Sequence, residues 1–243
     1  MRRFVYMSSC SVYGVADGNT VMTEQSPVNP QTAYAGCKIA VERDLTEMMG
    51  ADFTPCFLRN ATVFGASPRQ RFDLVLNNLC GLAWTTGKIT LLSNGTPWRP
   101  LVHVEDVCEA VRLALEAPGQ DIGGVALNVG SDAQCYRIID IAKFVADSFT
   151  GCSIAVGPPD ADNRSYRVSF DRISKVLPAF RCRWNAERGV QQMRQLFERI
   201  GMQAGDFLAE PYTRQKMVNR LRSSGVLDDQ LRWTAPAKVA VAA

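Results

Sequence analysis

The chain opens on a short apolar run, Phe4-Val5-Tyr6-Met7, which turns polar at Ser8-Ser9-Cys10-Ser11. A run this short, β-branched and aromatic, reads as a buried strand, so hydroxyls collect at a strand's carboxyl end. After a loop rich in Gly, Asn and Pro, Pro30-Gln31-Thr32 leads into a helix beginning near Ala33 and running through Leu45 to Met48-Met49, with Gly50 as its stop. Residues 53–59 read as a second strand. Residues 72–83 carry apolar side chains at Phe72, Leu74, Val75, Leu76, Leu79 and Leu82, an amphipathic helical spacing. Two short strands follow at 88–92 and 98–104, separated by the turn Ser93-Asn94-Gly95-Thr96. Glu105 and Asp106 then open a helix, where the macrodipole favours acidic groups. A strand over 125–129 and a helix over 136–149 come next. Two amphipathic helices are predicted over 186–200 and 212–231, and the Ala- and Val-rich tail, 236–243, is expected to be disordered.

Composition narrows the class. With 243 residues, 47% of them hydrophobic, the chain can bury a sizeable core as one domain or as one domain with a small lobe. A net charge of +3 with both signs interspersed, and no basic run, excludes an electrostatic footprint for nucleic acid. The eight cysteines, Cys10, Cys37, Cys56, Cys80, Cys108, Cys135, Cys152 and Cys182, form no Cys-x-x-Cys pair, and His103 is the single histidine, so zinc-site spacing is absent. No stretch reaches the ~18 apolar residues of a membrane span, and no signal-peptide core follows Arg2-Arg3. A cytoplasmic protein with reduced thiols is expected.

The chemistry centres on the first helix. Tyr34 and Lys38 stand four residues apart and share a helix face. An ammonium beside a phenol favours the phenolate and is expected to bring the tyrosine below its unperturbed ~10, as a general base near neutral pH requires. Taken alone, such a pair occurs on many helices as a half-buried ring and a solvated amine. Its combination with the strand end SSCSVYG and the helix start YAGCK is more specific. Together they resemble the extended short-chain dehydrogenase/reductase family, in particular its NAD-dependent sugar-nucleotide epimerase/dehydratase branch. That family's catalytic hydroxyl lies five positions before the Gly of Val-Tyr-Gly, which implies Ser9. The implied fold is α/β, the C-terminal part of a doubly wound, Rossmann-like parallel sheet with a small α/β substrate lobe. Residues 1–66 would complete the dinucleotide-binding domain, 67–185 would form mainly the substrate lobe with segments returning to the sheet, and 186–235 the C-terminal helices.

The resemblance carries further residues. Arg59 and Gly65 align with an Arg-x-x-Asn-x-x-Gly segment, which puts Thr62 where the family has a substrate-contacting asparagine. Thr62 keeps a hydroxyl but lacks the amide's paired donor and acceptor. Arg99, in Arg-Pro-Leu-Val-His-Val-Glu-Asp, takes the place of an arginine that grips the sugar-nucleotide diphosphate, a task suited to the guanidinium fork. Arg164 takes that of a second phosphate-facing arginine, with Arg167 the alternative. His103 is read as structural, a lone histidine in an apolar strand. Cys10 and Ser11 stand where dehydratases of the family carry acidic residues, and without a carboxylate there is no acid for water elimination.

The implied activity is therefore epimerisation, or oxidation and reduction, of a nucleoside-diphosphate sugar through a keto intermediate. NAD or NADP serves as cofactor, with Ser9, Tyr34 and Lys38 catalytic, Tyr34 and Lys38 also touching the cofactor, and a homodimer possible. One feature of the family is missing: none of the 18 glycines forms Gly-x-Gly-x-x-Gly, the turn that cradles a dinucleotide pyrophosphate. Roughly the first hundred residues of the family's cofactor domain are expected to be absent, through truncation or a misassigned start. Two other readings stand beside the enzyme: a non-catalytic remnant that does not bind NAD by itself, and a dehydrogenase acting on a non-nucleotide ketone or alcohol.

Overall fold

The computed structural model describes residues 2–15, 20–159 and 165–234. The opening apolar run is β1 (Arg3–Ser9), and Ser9 caps the 3-10 turn that follows, its Oγ accepting the Ser11 N–H at 3.2 Å. Gly14 closes that turn at φ 73°, and a Cβ there would lie 2.0 Å from the Asn29 carbonyl oxygen, so only glycine fits. A two-residue strand, β2 (Val21–Met22), precedes α1 (Ala33–Glu47). Thr32 starts α1 by accepting the Ala35 N–H on Oγ1 at 3.2 Å, the capping expected of a threonine before an apolar run. The helix ends at Glu47, short of the predicted Met48-Met49. Gly50 is not its left-handed stop: it bridges Phe53 in a tight return to the sheet.

The chain continues through β3 (Thr54–Asn60), β4 (Thr62–Phe64), α2 (Val75–Thr86), β5 (Lys88–Thr90) and β6 (Trp98–His103). Then come α3 (Val104–Glu116), α4 (Gly119–Ile122), β7 (Val125–Val129), β8 (Cys135–Arg137), α5 (Ile138–Ser148), β9 (Ser153–Ala155), β10 (Arg167–Val168), α6 (Asp171–Val176), α7 (Ala186–Ile200) and α8 (Arg214–Ser223). Helix α2 starts three residues later than its pattern predicts. Leu74 is extended, and Phe72 leaves the helical face to pack against Phe197, Phe207 and Tyr212. Helix α8 is far shorter than the predicted 212–231 and buries no side chain; Gly225 at φ 71° turns the chain away after Ser223. The tail at 236–243 lies outside the described residues.

Strands β1, β3 and β7 form a parallel sheet in that order, with Ser9 level with Asn60 and Asn60 level with Val129. Among the described residues β1 pairs only with β3. Parallel neighbours need crossover connections, supplied by α1 between β1 and β3 and by a longer excursion through α2 and α3 before β7. The fold is thus α/β with a Rossmann-like parallel sheet. A second sheet, β4-β6-β8, has β4 parallel and β8 antiparallel to β6, while β5 pairs with β9 and β2 with β10. Buried side chains fall into two clusters. One packs Leu58, Leu127 and Val129 of the first sheet against Val107, Ala110 and Ala114 of α3; the other gathers α2, α5 and α7 around Leu76, Ile141, Val145, Val190 and Phe197.

Candidate functional site

Strand carboxyl ends are where an open α/β sheet leaves backbone and side chains exposed to a crevice. Here a cleft of about 860 Å³ opens at the ends of β1 and β3, and side chains of both buried clusters line it, Val107 from the first and Leu79 and Leu91 from the second. Ser9, Tyr34, Lys38, Thr62 and Arg99 all line this one cleft, although they come from β1, α1, β4 and β6. Arg164 lies outside the described residues. Arg167 is not on the cleft wall; its guanidinium stacks on the Trp98 ring at 5.2 Å, with that of Arg137 at the same distance.

Tyr34 is 58% exposed and faces the opening. Lys38 sits deeper. Its Nζ donates to the Met7 carbonyl at 2.6 Å and lies 4.8 Å from the Tyr6 ring centre and 5.4 Å from that of Tyr34. Burial lowers the Lys38 pKa, opposed by the Glu42 carboxylate one helical turn on. An ammonium has three donors, and Met7 occupies one of them. Arg99 is 8% exposed, donates from Nη1 to the Trp98 carbonyl at 2.9 Å, and stacks over Tyr166 at 5.9 Å.

Beneath the cleft runs a buried polar network that sequence reasoning missed. Glu42, 7% exposed on α1, accepts from Ser8 Oγ at 2.5 Å and from Arg59 Nη2 at 2.6 Å. Arg59 reaches on to the Tyr13 hydroxyl at 3.1 Å, which donates to Asn128 Oδ1 at 2.7 Å. Burial would lower the Arg59 pKa, but hydrogen bonds to Glu42 and Tyr13 overcome it and hold the guanidinium charged. Burial pushes the Tyr13 phenol and the Cys10 thiol well up, so both stay protonated. Residues of three motifs, Tyr13, Arg59 and Asn128, thus tie α1, β1, β3 and β7 together behind the wall that carries Ser9. The only sequence signal for Glu42 was its spacing, four residues beyond Lys38 on the same face of α1.

His103 is fully buried and structural. Nδ1 accepts the Glu105 N–H at 3.2 Å as the cap of α3, Nε2 lies 2.8 Å from Gln192 Oε1, and the ring stacks on Trp184 at 4.0 Å. Gly65, at φ 107°, has no room for a side chain, since a Cβ would fall 2.2 Å from His103 Nε2. Asp106 accepts the backbone N–H groups of Arg183 and Trp184 at 2.9 and 3.2 Å, which fixes the entry to α7. Other polar groups also line the cleft, among them Ser11, Asn60 and the ion pair Arg71–Asp73, whose Nη2–Oδ2 distance is 2.7 Å. That hydrogen bond holds the Asp73 carboxyl below its ordinary range.

A Rossmann-like sheet with a serine, a tyrosine and a lysine on one cleft wall at its carboxyl edge defines a class of α/β proteins built to face a ligand there. Within it, the chain belongs to the NAD dependent epimerase/dehydratase family, which residues 1–130 match. Among curated proteins it resembles the UDP-glucose 4-epimerase of Neisseria gonorrhoeae, 26% identical over 211 residues, covering 79% of this chain and 60% of that one. The UDP-glucose 4-epimerase of Bacillus subtilis is likewise 26% identical, over 210 residues and the same shares. The chain therefore spans about three-fifths of the length of these relatives. Among solved structures, MoeE5 in complex with UDP-glucose and NAD superposes with a TM-score of 0.68 at 29% identity, covering 83% of this chain and 67% of MoeE5. The UDP-glucuronic acid 4-epimerase from Bacillus cereus shares the fold, with a TM-score of 0.70 at 21% identity over 82% of this chain and 62% of that one.

Proposed function

We propose that this chain carries the proton-transfer and substrate-binding part of an NAD-dependent enzyme that epimerises, or oxidises and reduces, a nucleoside-diphosphate sugar. One observation carries the reading: Ser9, Tyr34, Lys38, Thr62 and Arg99 line a single cleft. UDP-glucose 4-epimerases among the relatives, and MoeE5 with UDP-glucose or UDP-glucuronic acid and NAD, support the substrate class.

The residues present fit the nicotinamide end of a dinucleotide. Lys38 has donors beyond the one given to Met7, the exposed Tyr34 lines the cleft beside it, and Asn60, whose amide oxygen is buried without a partner, lines the same cleft. No Gly-x-Gly-x-x-Gly turn stands among the 243 residues to take the pyrophosphate. A nicotinamide bound there would supply the hydride chemistry for the carbon that bears the reacting hydroxyl. Tyr34 Oη removes the proton from the sugar hydroxyl that becomes a carbonyl, and returns it later. Ser9 Oγ donates a hydrogen bond to the same sugar oxygen, and Lys38 holds positive charge beside the phenol. Arg99 binds the diphosphate, and that remote binding energy retains the keto intermediate. Thr62 offers its hydroxyl to the sugar. Neither Cys10, buried with its thiol donating to the Arg59 carbonyl, nor Ser11 supplies an acid for water elimination, which favours epimerisation over dehydration.

The test is turnover of UDP-glucose with NAD, on the chain alone and joined at its N-terminus to a relative's Gly-rich segment. Tyr34→Phe is expected to abolish conversion while nucleotide-sugar affinity stays within about twofold, because the ring remains and only the base is lost. Ser9→Ala is expected to slow turnover by a smaller factor. Most activity surviving in Tyr34→Phe would assign the base elsewhere.

A further inference from the structure

Asn60 ends β3 level with Ser9 at the end of β1. Asn60 is 7% exposed and lines the cleft, and its Nδ2 donates to the Ser8 carbonyl at 3.3 Å. That bond sets the amide's orientation, since the flipped form would press Oδ1 against a carbonyl oxygen. Oδ1 is then buried with no hydrogen-bond partner among the described residues. Among the described residues only one other buried side-chain nitrogen or oxygen shares that state, Ser11 Oγ, and Ser11, whose N–H donates to Ser9 Oγ, lines the same cleft. Buried polar atoms in folded proteins are nearly all paired, because an unpaired one forfeits its hydration with nothing in return. Two orphans scattered through a core would be packing faults. Both instead belong to residues that line one cleft next to Ser9, so a partner entering the cleft and reaching behind its surface would satisfy them.

The chemistry of that partner follows from the atom. An amide oxygen accepts only, so it takes an N–H or O–H and disfavours a phosphate or carboxylate oxygen. A neutral, donor-bearing part of a ligand is thereby favoured beside Asn60, and its anionic part away from that oxygen. We propose that Asn60 is a ligand-binding residue whose Oδ1 accepts a hydrogen bond from a neutral donor at the reacting end of the ligand. Two sources present such a donor, a sugar hydroxyl of the substrate and the carboxamide of a nicotinamide ring. The inference rests on the functional reading above and assigns to that site a determinant which composition and motif do not mark.

The experiment measures dissociation constants by calorimetry for UDP-glucose, UDP and nicotinamide mononucleotide, on the full chain and on Asn60→Leu and Asn60→Ala. Thermal melts confirm that each variant is folded. In parallel, the side-chain amide resonances of Asn60 in the wild-type chain are followed by NMR during each titration, a readout that needs no variant. A loss of about tenfold for UDP-glucose, the scale of one buried hydrogen bond, with UDP unchanged, supports the proposal and names the sugar as donor. The same loss confined to nicotinamide mononucleotide supports it and names the carboxamide. The Asn60 resonances should shift with whichever ligand is affected. Unchanged affinities for all three, with still resonances, overturn the proposal while leaving the functional reading in place, and so does an equal loss for UDP. A wild-type chain that binds none of the three overturns both.

Discussion

His103 shows how one residue's surroundings decide its role. It is the only imidazole in the chain, and burial lowers its pKa below the ordinary value. The contact with Gln192 and the nearby Glu105 and Asp106 offset this only in part. A group whose pKa is lowered on folding binds its proton first in the unfolded chain, so stability falls as pH drops through ~6.5 and levels off below the folded-state value. Urea midpoints measured between pH 7.5 and 5.5 are expected to decline, and His103→Asn to flatten that decline. An unchanged slope would remove His103 as its source. At this scale much was legible in the sequence. Val-Tyr-Gly and the four-residue spacing mark Ser9, Tyr34 and Lys38 as candidates, which the fold brings to one cleft, and the apolar strand marks His103 as structural. Asn60 was not legible, because nothing in Arg-Asn-Ala-Thr says that one amide will be buried with half its bonding capacity unused.

At the scale of elements, the strands and helices followed the apolar periodicity, and the differences lie where tertiary contacts overrule it. Phe72 carries the helical pattern yet serves the α7 side as a free-standing aromatic, and the residues after Ser223 read as helix yet turn at Gly225. The link between elements that matters most is the buried Glu42–Arg59 pair, since it ties α1, which carries Tyr34 and Lys38, to β3 and, through Ser8, to β1. Removing one partner leaves the other charge buried and uncompensated, which costs about 3–5 kcal/mol. Glu42→Ala is therefore expected to lower the urea-derived stability by that amount. Arg43→Ala on the same helix, whose pair with Asp44 is exposed, should change it little. Equal effects of the two substitutions would contradict the role given to the network. Sequence could not reveal the pairing because Glu42 and Arg59 are separated by a loop and a strand whose registry only the fold sets.

For the molecule as a whole, two buried clusters meet at one cleft, and its wall takes contributions from β1, α1, β3, β4 and β6. The parallel β1-β3-β7 sheet brings the Ser9 hydroxyl to the cleft, and α1 supplies the Tyr34 phenol and Lys38 ammonium to the same wall. Arg99 arrives from β6, in the sheet that β4 joins directly to the end of β3. In the proposed function this cleft receives a nucleoside-diphosphate sugar with its diphosphate on Arg99. Arg99→Lys keeps the charge and loses the forked geometry, so it isolates the claim from simple electrostatics. Calorimetric titration of wild type and Arg99→Lys with UDP-glucose and with free glucose tests it most directly. A loss of ~1–3 kcal/mol in UDP-glucose binding, the scale of a charge-assisted hydrogen bond, with glucose binding unchanged, is the predicted result. Equal UDP-glucose affinity in the two chains would contradict it.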